Sequence, residues 1–226
     1  ITTNFSKNGS VVLLCAALLN KNKTTLRGIS HIEEVYRLIE VMESLGVSVR
    51  WIGQNAVEIL PPKKLTFSKL NRESASKIRS SIMLIGPIIH REAEFLLPHA
   101  GGCKMGNRTI TAHRYGLEKF GIHIATKDKH YEIRAGRLKP SEIVMYEAGD
   151  TAANNILMAA ALIPGTTTVR FAPPNYQVQE LCFFLEKMGV RIDGIGTTNL
   201  VVHGIEGFDK PLEYHNSEDP IESMMF

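Results

Sequence analysis

Cys103 stands in the run Gly101-Gly102-Cys103-Lys104-Met105-Gly106-Asn107-Arg108, where three glycines loosen the backbone and Lys104 and Arg108 bring positive charge to the sulfur. Such surroundings favour thiolate over thiol and make Cys103 the candidate reactive thiol; a plain glycine-rich turn is the competing reading. Cys15 lies inside the apolar run Val11–Leu19 and Cys182 inside Leu181–Leu185, positions where cysteine acts as a small buried hydrophobe. The three are widely separated along the chain, so they form neither a dense disulfide framework nor a Cys-x-x-Cys metal knuckle.

Cations gather where two apolar helical patterns begin: Lys7 directly after Ser6, then Lys77 and Arg79. A positive side chain there opposes the helix macrodipole unless water screens it or an anion binds, and two affected helices favour a phosphate site. The net charge is only +3, but residues 63–134 hold 14 Lys and Arg against 6 Asp and Glu, whereas residues 205–226 hold 1 against 6. That asymmetry suits a compact anionic ligand and equally a solvated face. The eight histidines show no metal-ligand spacing, and the chain has neither a Gly-x-x-x-x-Gly-Lys phosphate loop nor a Gly-x-Gly-x-x-Gly dinucleotide turn. No metal and no cofactor is expected. Nucleic acid is not an expected partner either, because the basic region lacks interleaved aromatics.

Three copies of one pattern position these residues. An amphipathic helix ends in Leu45-Gly46-Val47-Ser48-Val49, a second in Phe120-Gly121-Ile122-His123-Ile124, and a third in Met188-Gly189-Val190-Arg191-Ile192, so the glycines recur at similar intervals. In each, apolar positions at helical spacing lead to a glycine at the helix stop and then to period-two alternation, so the helix turns straight into a strand. Upstream of each lies a helix that is apolar nearly all round and must be interior: Lys7–Leu19, Ser76–Ile89 and Asp150–Ile163. Strands are predicted after the inner helices at Thr24–Ile29, Phe95–Leu97 and Thr166–Phe171, and closing strands at Ala56–Leu60, Tyr131–Ala135 and Leu200–His203. Opening strands are expected at Thr2–Phe5, Lys64–Phe67 and Glu142–Tyr146. Three such units make one α/β domain of pseudo-threefold construction, with repeats over 1–62, 63–138 and 139–210 and no internal linker.

The chain has 226 residues, 44% hydrophobic, 22% charged and 7% aromatic, a globular make-up that excludes disorder and collagen-like repetition. Its longest apolar runs, such as Ile82–Ile89, fall short of the roughly 18 to 20 residues that span a bilayer. No secretory leader pattern precedes Lys7, so a soluble, cytoplasmic protein without a membrane partner is expected. Ser217-Glu218-Asp219-Pro220 reads as a capped helix start, followed by Ile221, Met224 and Met225. Those apolar residues suggest that 211–226 crosses towards a second domain.

Several stretches carry a specific resemblance: Ser6-Lys7-Asn8, Ile78-Arg79-Ser80-Ser81-Ile82 with Gly86-Pro87, Gly101-Gly102-Cys103 with Gly106 and Arg108, and Asn155-Ile156-Leu157-Met158-Ala159-Ala160. In this order, and over essentially the whole chain, the sequence resembles the UDP-N-acetylglucosamine 1-carboxyvinyltransferases of the enolpyruvyl transferase family. The shikimate-pathway enolpyruvyl transferases share the fold but not this Gly-Gly-Cys loop. The resemblance implies an inside-out α/β barrel of three βαβαββ repeats, one of two such domains in a family member. It also implies transfer of the enolpyruvyl group of phosphoenolpyruvate to the 3-hydroxyl of a UDP-sugar, with loss of phosphate, at the first committed step of peptidoglycan synthesis.

Residue by residue, the resemblance makes Cys103 the proton donor, Lys7 the holder of the phosphoenolpyruvate phosphate and Arg108 a catalytic cation, with Arg79 neutralising phosphate or carboxylate and Asn8 bonding the sugar. His113, Asp150 and Thr151 complete the expected substrate-binding set, and the family's susceptibility to fosfomycin would pass to Cys103. Three departures bear on the acceptor. Thr109-Ile110-Thr111-Ala112-His113 replaces Pro-Val-Asp-x-His, Gly149-Asp150-Thr151-Ala152-Ala153 replaces Ser-Val-Gly-Ala-Thr, and Asp219-Pro220-Ile221-Glu222 replaces Asp-Arg-Ile-Glu. Asp150 suits a helix start but would repel a diphosphate placed there. A non-catalytic relative that binds an anionic metabolite or a partner protein is the alternative reading.

Overall fold

The computed structural model describes residues 3–99, 101 and 109–225. Three helical segments form the interior: α1 (Lys7–Ala16, prolonged by a 3-10 turn Ala17–Leu19), a 3-10 stretch Arg79–Leu84 running into α4 (Ile85–Ile88), and α6 (Asp150–Ala161). Every residue from Gly9 to Leu19, from Ser80 to Ile89 and from Ala152 to Ala161 is buried. Their lack of a polar face leaves them no stable place but the centre. Sheets and outer helices surround them, so this is an inside-out α/β fold.

The first sheet has the order β11-β1-β3-β2, from Leu212–His215, Thr24–Arg27, Ala56–Leu60 and Ser48–Trp51. The third has the same design, β7-β8-β10-β9, from Glu142–Val144, Gly165–Arg170, Asn199–Gly204 and Arg191–Asp193. In each, one parallel pair is followed by two antiparallel ones: β11 lies parallel to β1 as β7 does to β8. The second sheet has three strands, β4-β6-β5, from Glu94–Pro98, His130–Ala135 and Ile122–Thr126, all antiparallel. The outer helices are α2 (Glu33–Ser44), α5 (Thr111–Glu118) and α7 (Tyr176–Lys187); each ends at a glycine, Gly46, Gly121 or Gly189, with φ of +93°, +93° and +90°. This is the left-handed stop that the repeated helix-Gly-strand pattern demands.

The opening strands follow the expected plan only in the third repeat. Of Thr2–Phe5, Thr2 lies outside the described residues, and Phe5 makes a single antiparallel bridge to Glu218. The place beside β1 is taken by β11, from the far end of the chain. Lys64–Phe67 does not pair as a strand. Its amides are used elsewhere, Leu65 donating to Glu92 Oε1 at 3.3 Å and Thr66 to the Leu45 carbonyl at 2.9 Å, and Phe67 enters a short 3-10 turn stacked on Phe95.

The second inner segment is also not the single helix expected over Ser76–Ile89. Lys77 ends a separate helix, α3 (Arg72–Lys77), and pairs with Glu73 at 2.5 Å, so it does not stand at an inner helix start. Beyond it, the carboxamide of Asn155 on α6 enters the backbone ladder. Its Oδ1 accepts from the Gly86 amide at 2.6 Å and its Nδ2 donates to the Ile82 carbonyl at 2.9 Å. These two groups are the i, i+4 pair that a regular helix would join, and Pro87 has no amide to continue the pattern.

Buried polar side chains tie the fold together around the start of α1. Ser6 caps the helix by accepting from Gly9 N at 3.0 Å. Asn216, fully buried just after β11, donates to the Ser6 and Gly28 carbonyls and to Ser10 Oγ at 2.9 to 3.1 Å. Arg91 gathers the carbonyls of Leu18, Asn20 and Pro62 at the other end of the same helical segment, a structural use of a guanidinium. At the end of the described chain Asp219 caps α8 (Pro220–Ser223), and Ile221, Met224 and Met225 are 62%, 88% and 81% exposed.

Candidate active site

The N-terminal ends of the three inner segments converge on a cavity of about 590 Å³. The start of α1 contributes Asn8, with Val11 and Val12 on the wall; the second segment contributes Arg79, Ser80 and Met83; the start of α6 contributes Gly149, Asp150, Thr151 and Asn154. Glu34 and Gln177, from the first turns of α2 and α7, close the sides together with Glu147 and Thr109. The geometry follows from the fold: helices that enter the centre from one side present their unbonded amides and positive dipole ends there.

Of the expected site residues, Asn8, Arg79, Asp150 and Thr151 therefore share one cavity. Lys7 stands next to it. Its Nζ lies 3.4 Å from Glu34 Oε2, an exposed pair of small energetic weight, and it borders a second recess formed with Asn4, Ser30 and His31. Cys103 and Arg108 lie outside the described residues. Gly101 and Thr109, described on either side of them, adjoin α3 and Arg79 of the second inner segment respectively. A Cβ at Gly101 would fall 1.7 Å from the Ser76 carbonyl oxygen, and Thr109 lines the cavity with its carbonyl 3.5 Å from Arg79 Nη2.

His113 stands behind the cavity wall and is 2% exposed. Asn155 Nδ2 approaches its Nδ1 at 3.2 Å and Thr151 Oγ1 its Nε2 at 3.3 Å. An amide nitrogen only donates, so Nδ1 accepts and the proton sits on Nε2, directed to the threonine hydroxyl. Burial, assisted by the charge of Arg79, pushes the imidazole down to about 4. A neutral His113 thus orients Thr151. Asp150 is oriented by Asn175, whose Nδ2 donates to Asp150 Oδ1 at 2.6 Å while its own Oδ1 caps α7.

The other two cysteines are core residues. Cys15 and Cys182 are both fully buried; burial and then the charge of Glu34 push the Cys15 thiol up, and burial and then Glu186 push that of Cys182 up to about 12. Among the described residues no group of three or more His, Cys, Asp and Glu could hold a metal ion, and no helix is long and apolar enough to cross a membrane.

Glu34, Glu147, Asn154 and Gln177 reach the cavity without having been singled out from the sequence, and Ser80, which also lines it, entered only within the stretch Ile78-Arg79-Ser80-Ser81-Ile82. The one available signal was the pair Asn154-Asn155 inside an otherwise apolar inner helix, where two carboxamides need partners. Asn155 has them; Asn154 Oδ1 and Ser80 Oγ, both buried, have none among the described residues.

The sequence profile of the EPSP synthase family (3-phosphoshikimate 1-carboxyvinyltransferase) matches residues 5–226. The chain belongs to this family. Among curated members, it is 34% identical over 206 residues to the UDP-N-acetylglucosamine 1-carboxyvinyltransferase of Treponema denticola, covering 91% of this chain and 48% of that protein. It is likewise 34% identical over 199 residues to the enzyme of the same name from Bradyrhizobium diazoefficiens, covering 88% and 46%. This EPSP synthase-family chain thus spans about half the length of the curated relatives it matches. Among solved structures, the enolpyruvyl transferase NikO from Streptomyces tendae superimposes with a TM-score of 0.83 at 20% identity over 98% of this chain and 52% of that one. An EPSP synthase from Acinetobacter baumannii gives 0.73 at 18% identity over 97% and 50%. Both likenesses bear out the fold.

Proposed function

We propose that the chain is the cysteine-bearing half of an enolpyruvyl transferase that moves the enolpyruvyl group of phosphoenolpyruvate onto a sugar hydroxyl. The observation that supports this most is the convergence of Asn8, Arg79, Asp150 and Thr151 on one cavity that is also lined by Thr109, the residue after Arg108. In the proposed reaction Cys103 protonates the methylene carbon of phosphoenolpyruvate as the acceptor hydroxyl gives its proton to the acid-base carboxylate expected from a second domain and its oxygen bonds to the neighbouring carbon. The tetrahedral adduct then returns a methyl proton to the Cys103 thiolate, the carbon–carbon double bond re-forms, and the carbon–oxygen bond to phosphate breaks as phosphate leaves with the proton held by the carboxylate. Lys7, Arg79 and Arg108 hold the phosphate and carboxylate, a task for which a planar guanidinium offers two parallel donors. Asn8 bonds the sugar. His113 acts through Thr151.

The relatives' names give UDP-N-acetylglucosamine as the reference acceptor, which would make the reaction the first committed step of peptidoglycan synthesis and the enzyme a cytoplasmic fosfomycin target. In this reading a second domain completes the site with an acid-base carboxylate and further arginine contacts. Phosphate release from phosphoenolpyruvate tests it, measured with this chain and with a protein extended to the relatives' length. The chain alone is expected to be silent and the extended protein active, with activity lost in Cys103→Ala. A folded extended protein that never releases phosphate, with any sugar acceptor, would establish the non-catalytic relative instead.

A further inference from the structure

Lys7 and Asn8 begin α1, and the residue before them has its amide, its carbonyl and its hydroxyl all engaged. Ser6 N donates to the Ser217 carbonyl at 2.9 Å, the Ser6 carbonyl accepts from Ser10 N and from Asn216 Nδ2 at 2.9 Å each, and Ser6 Oγ accepts from Gly9 N at 3.0 Å. The place of Lys7 is therefore set by Asn216 and Ser217, more than 200 residues away in sequence, as well as by α1 itself.

Ser217 is held in turn by Glu180 on α7. That glutamate is 3% exposed, and no cation is paired with it among the described residues. Its Oε1 accepts from the Ser217 amide at 3.3 Å and its Oε2 from the Ser217 hydroxyl, while its own backbone carbonyl accepts from the Tyr214 hydroxyl at 3.3 Å. Burying a carboxylate is costly unless its hydrogen bonds are strong, and bonds to an ionised acceptor are about twice as strong as neutral ones. Because both oxygens act on one residue, they fix its orientation as well as its position. Glu180 is not one of the residues that line the cavity, so its effect there passes through Ser217 and Ser6.

We infer that Glu180 is a positioning residue for Lys7 and Asn8, acting through Ser217 and Ser6. The inference rests on the enolpyruvyl-transfer reading for what Lys7 then holds, the phosphate of phosphoenolpyruvate, but the first half of its test needs no ligand. The nitrogen-15-labelled chain is compared with Glu180→Ala, Glu180→Gln, Ser217→Ala and Gly189→Ala, the last altering the far end of the same helix. Without ligand, the amide signals of Lys7 and Asn8 should move in Glu180→Ala and stay in place in Gly189→Ala. Titration with phosphoenolpyruvate should then show a dissociation constant raised about tenfold in Glu180→Ala, less in Ser217→Ala, which keeps its amide donor, and near the wild-type value in Glu180→Gln, whose amide oxygen still accepts from Ser217. In a Lys7→Ala background, Glu180→Ala should weaken binding by no more than about twofold further, because the group it positions is gone, whereas a general loosening of the fold would add in full. Circular dichroism checks folding; should Glu180→Ala not fold, Ser217→Ala carries the same comparison. Unmoved Lys7 and Asn8 signals, or a tenfold loss that persists without the Lys7 side chain, would overturn the inference. A wild type that does not bind phosphoenolpyruvate, with the Lys7 and Asn8 signals still displaced by Glu180→Ala alone, would count against the transfer reading and support the positioning role.

Discussion

Replacing Asn155 with alanine tests whether one inserted carboxamide sets the course of the second inner segment. The side chain is fully buried and meets three groups: the Gly86 amide at 2.6 Å, the Ile82 carbonyl at 2.9 Å and His113 Nδ1 at 3.2 Å. Removing it deletes three hydrogen bonds. The Gly86 amide and Ile82 carbonyl can then recover one by closing as an ordinary helical turn, which leaves a net loss of two. At about 1 kcal/mol for each lost bond, rising to about 2 where His113 Nδ1 stays buried and unpaired, the variant should lose about 2–3 kcal/mol. Urea unfolding followed by circular dichroism reads this as a lower midpoint with an unchanged slope. The His113 ring signal in a proton-nitrogen spectrum should also move, since its tautomer loses the donor that fixes it. A urea midpoint indistinguishable from that of the wild type, with an unmoved His113 signal, would refute the claim that Asn155 holds these elements in place.

The same histidine makes stability depend on pH. With its folded value pushed down to about 4 from 6.5, the unfolded chain takes up a proton that the folded chain refuses, so stability falls as pH drops from about 6.5 towards 4. The slope is about 1.4 kcal/mol per pH unit, and His90, also pushed down to about 4 by burial, adds in the same direction. Urea midpoints at pH 7, 6 and 5 should decline, and His113→Gln should flatten the decline; a constant midpoint contradicts the assignment. Substoichiometric iodoacetamide, with peptide mapping, should label Cys103 and spare Cys15 and Cys182, both fully buried; early adducts at either of the latter would show that the core opens. Gly189→Ala should cost about 1–2 kcal/mol from the +90° φ alone, because nothing lies within 4 Å of the added methyl; a neutral result would mean the helix stop tolerates another conformation.

The threefold plan was legible because its information is local. An amphipathic helix, a glycine and an alternating strand follow one another directly, and the three copies reinforce one another. What the sequence hid is long-range. The partner of β1 comes from Leu212–His215, near the opposite end of the chain, while nearby Thr2–Phe5 looked the better candidate. The break in the second inner segment depends on Asn155, which belongs to a different helix from Gly86 and a different repeat, so apolarity alone read as one helix. At the site, Arg79 was found because a cation at a helix start points to an anion, and Asn8, Asp150 and Thr151 through the family resemblance; all four sit at inner-segment starts, which the fold brings together. Glu34, Glu147 and Asn154 look like ordinary surface or helix residues until packing turns them to the same cavity.

The central claim is that this cavity receives phosphoenolpyruvate. A nitrogen-15-labelled sample of the chain, titrated with phosphoenolpyruvate and followed by amide chemical shifts, tests it most directly. Shifts should concentrate at Lys7, Asn8, Arg79 and Ser80, saturate with one dissociation constant, and weaken at least tenfold in Arg79→Ala. No shift at these amides, or saturable shifts centred on the distant recess around Phe208 and Pro211, would contradict the account.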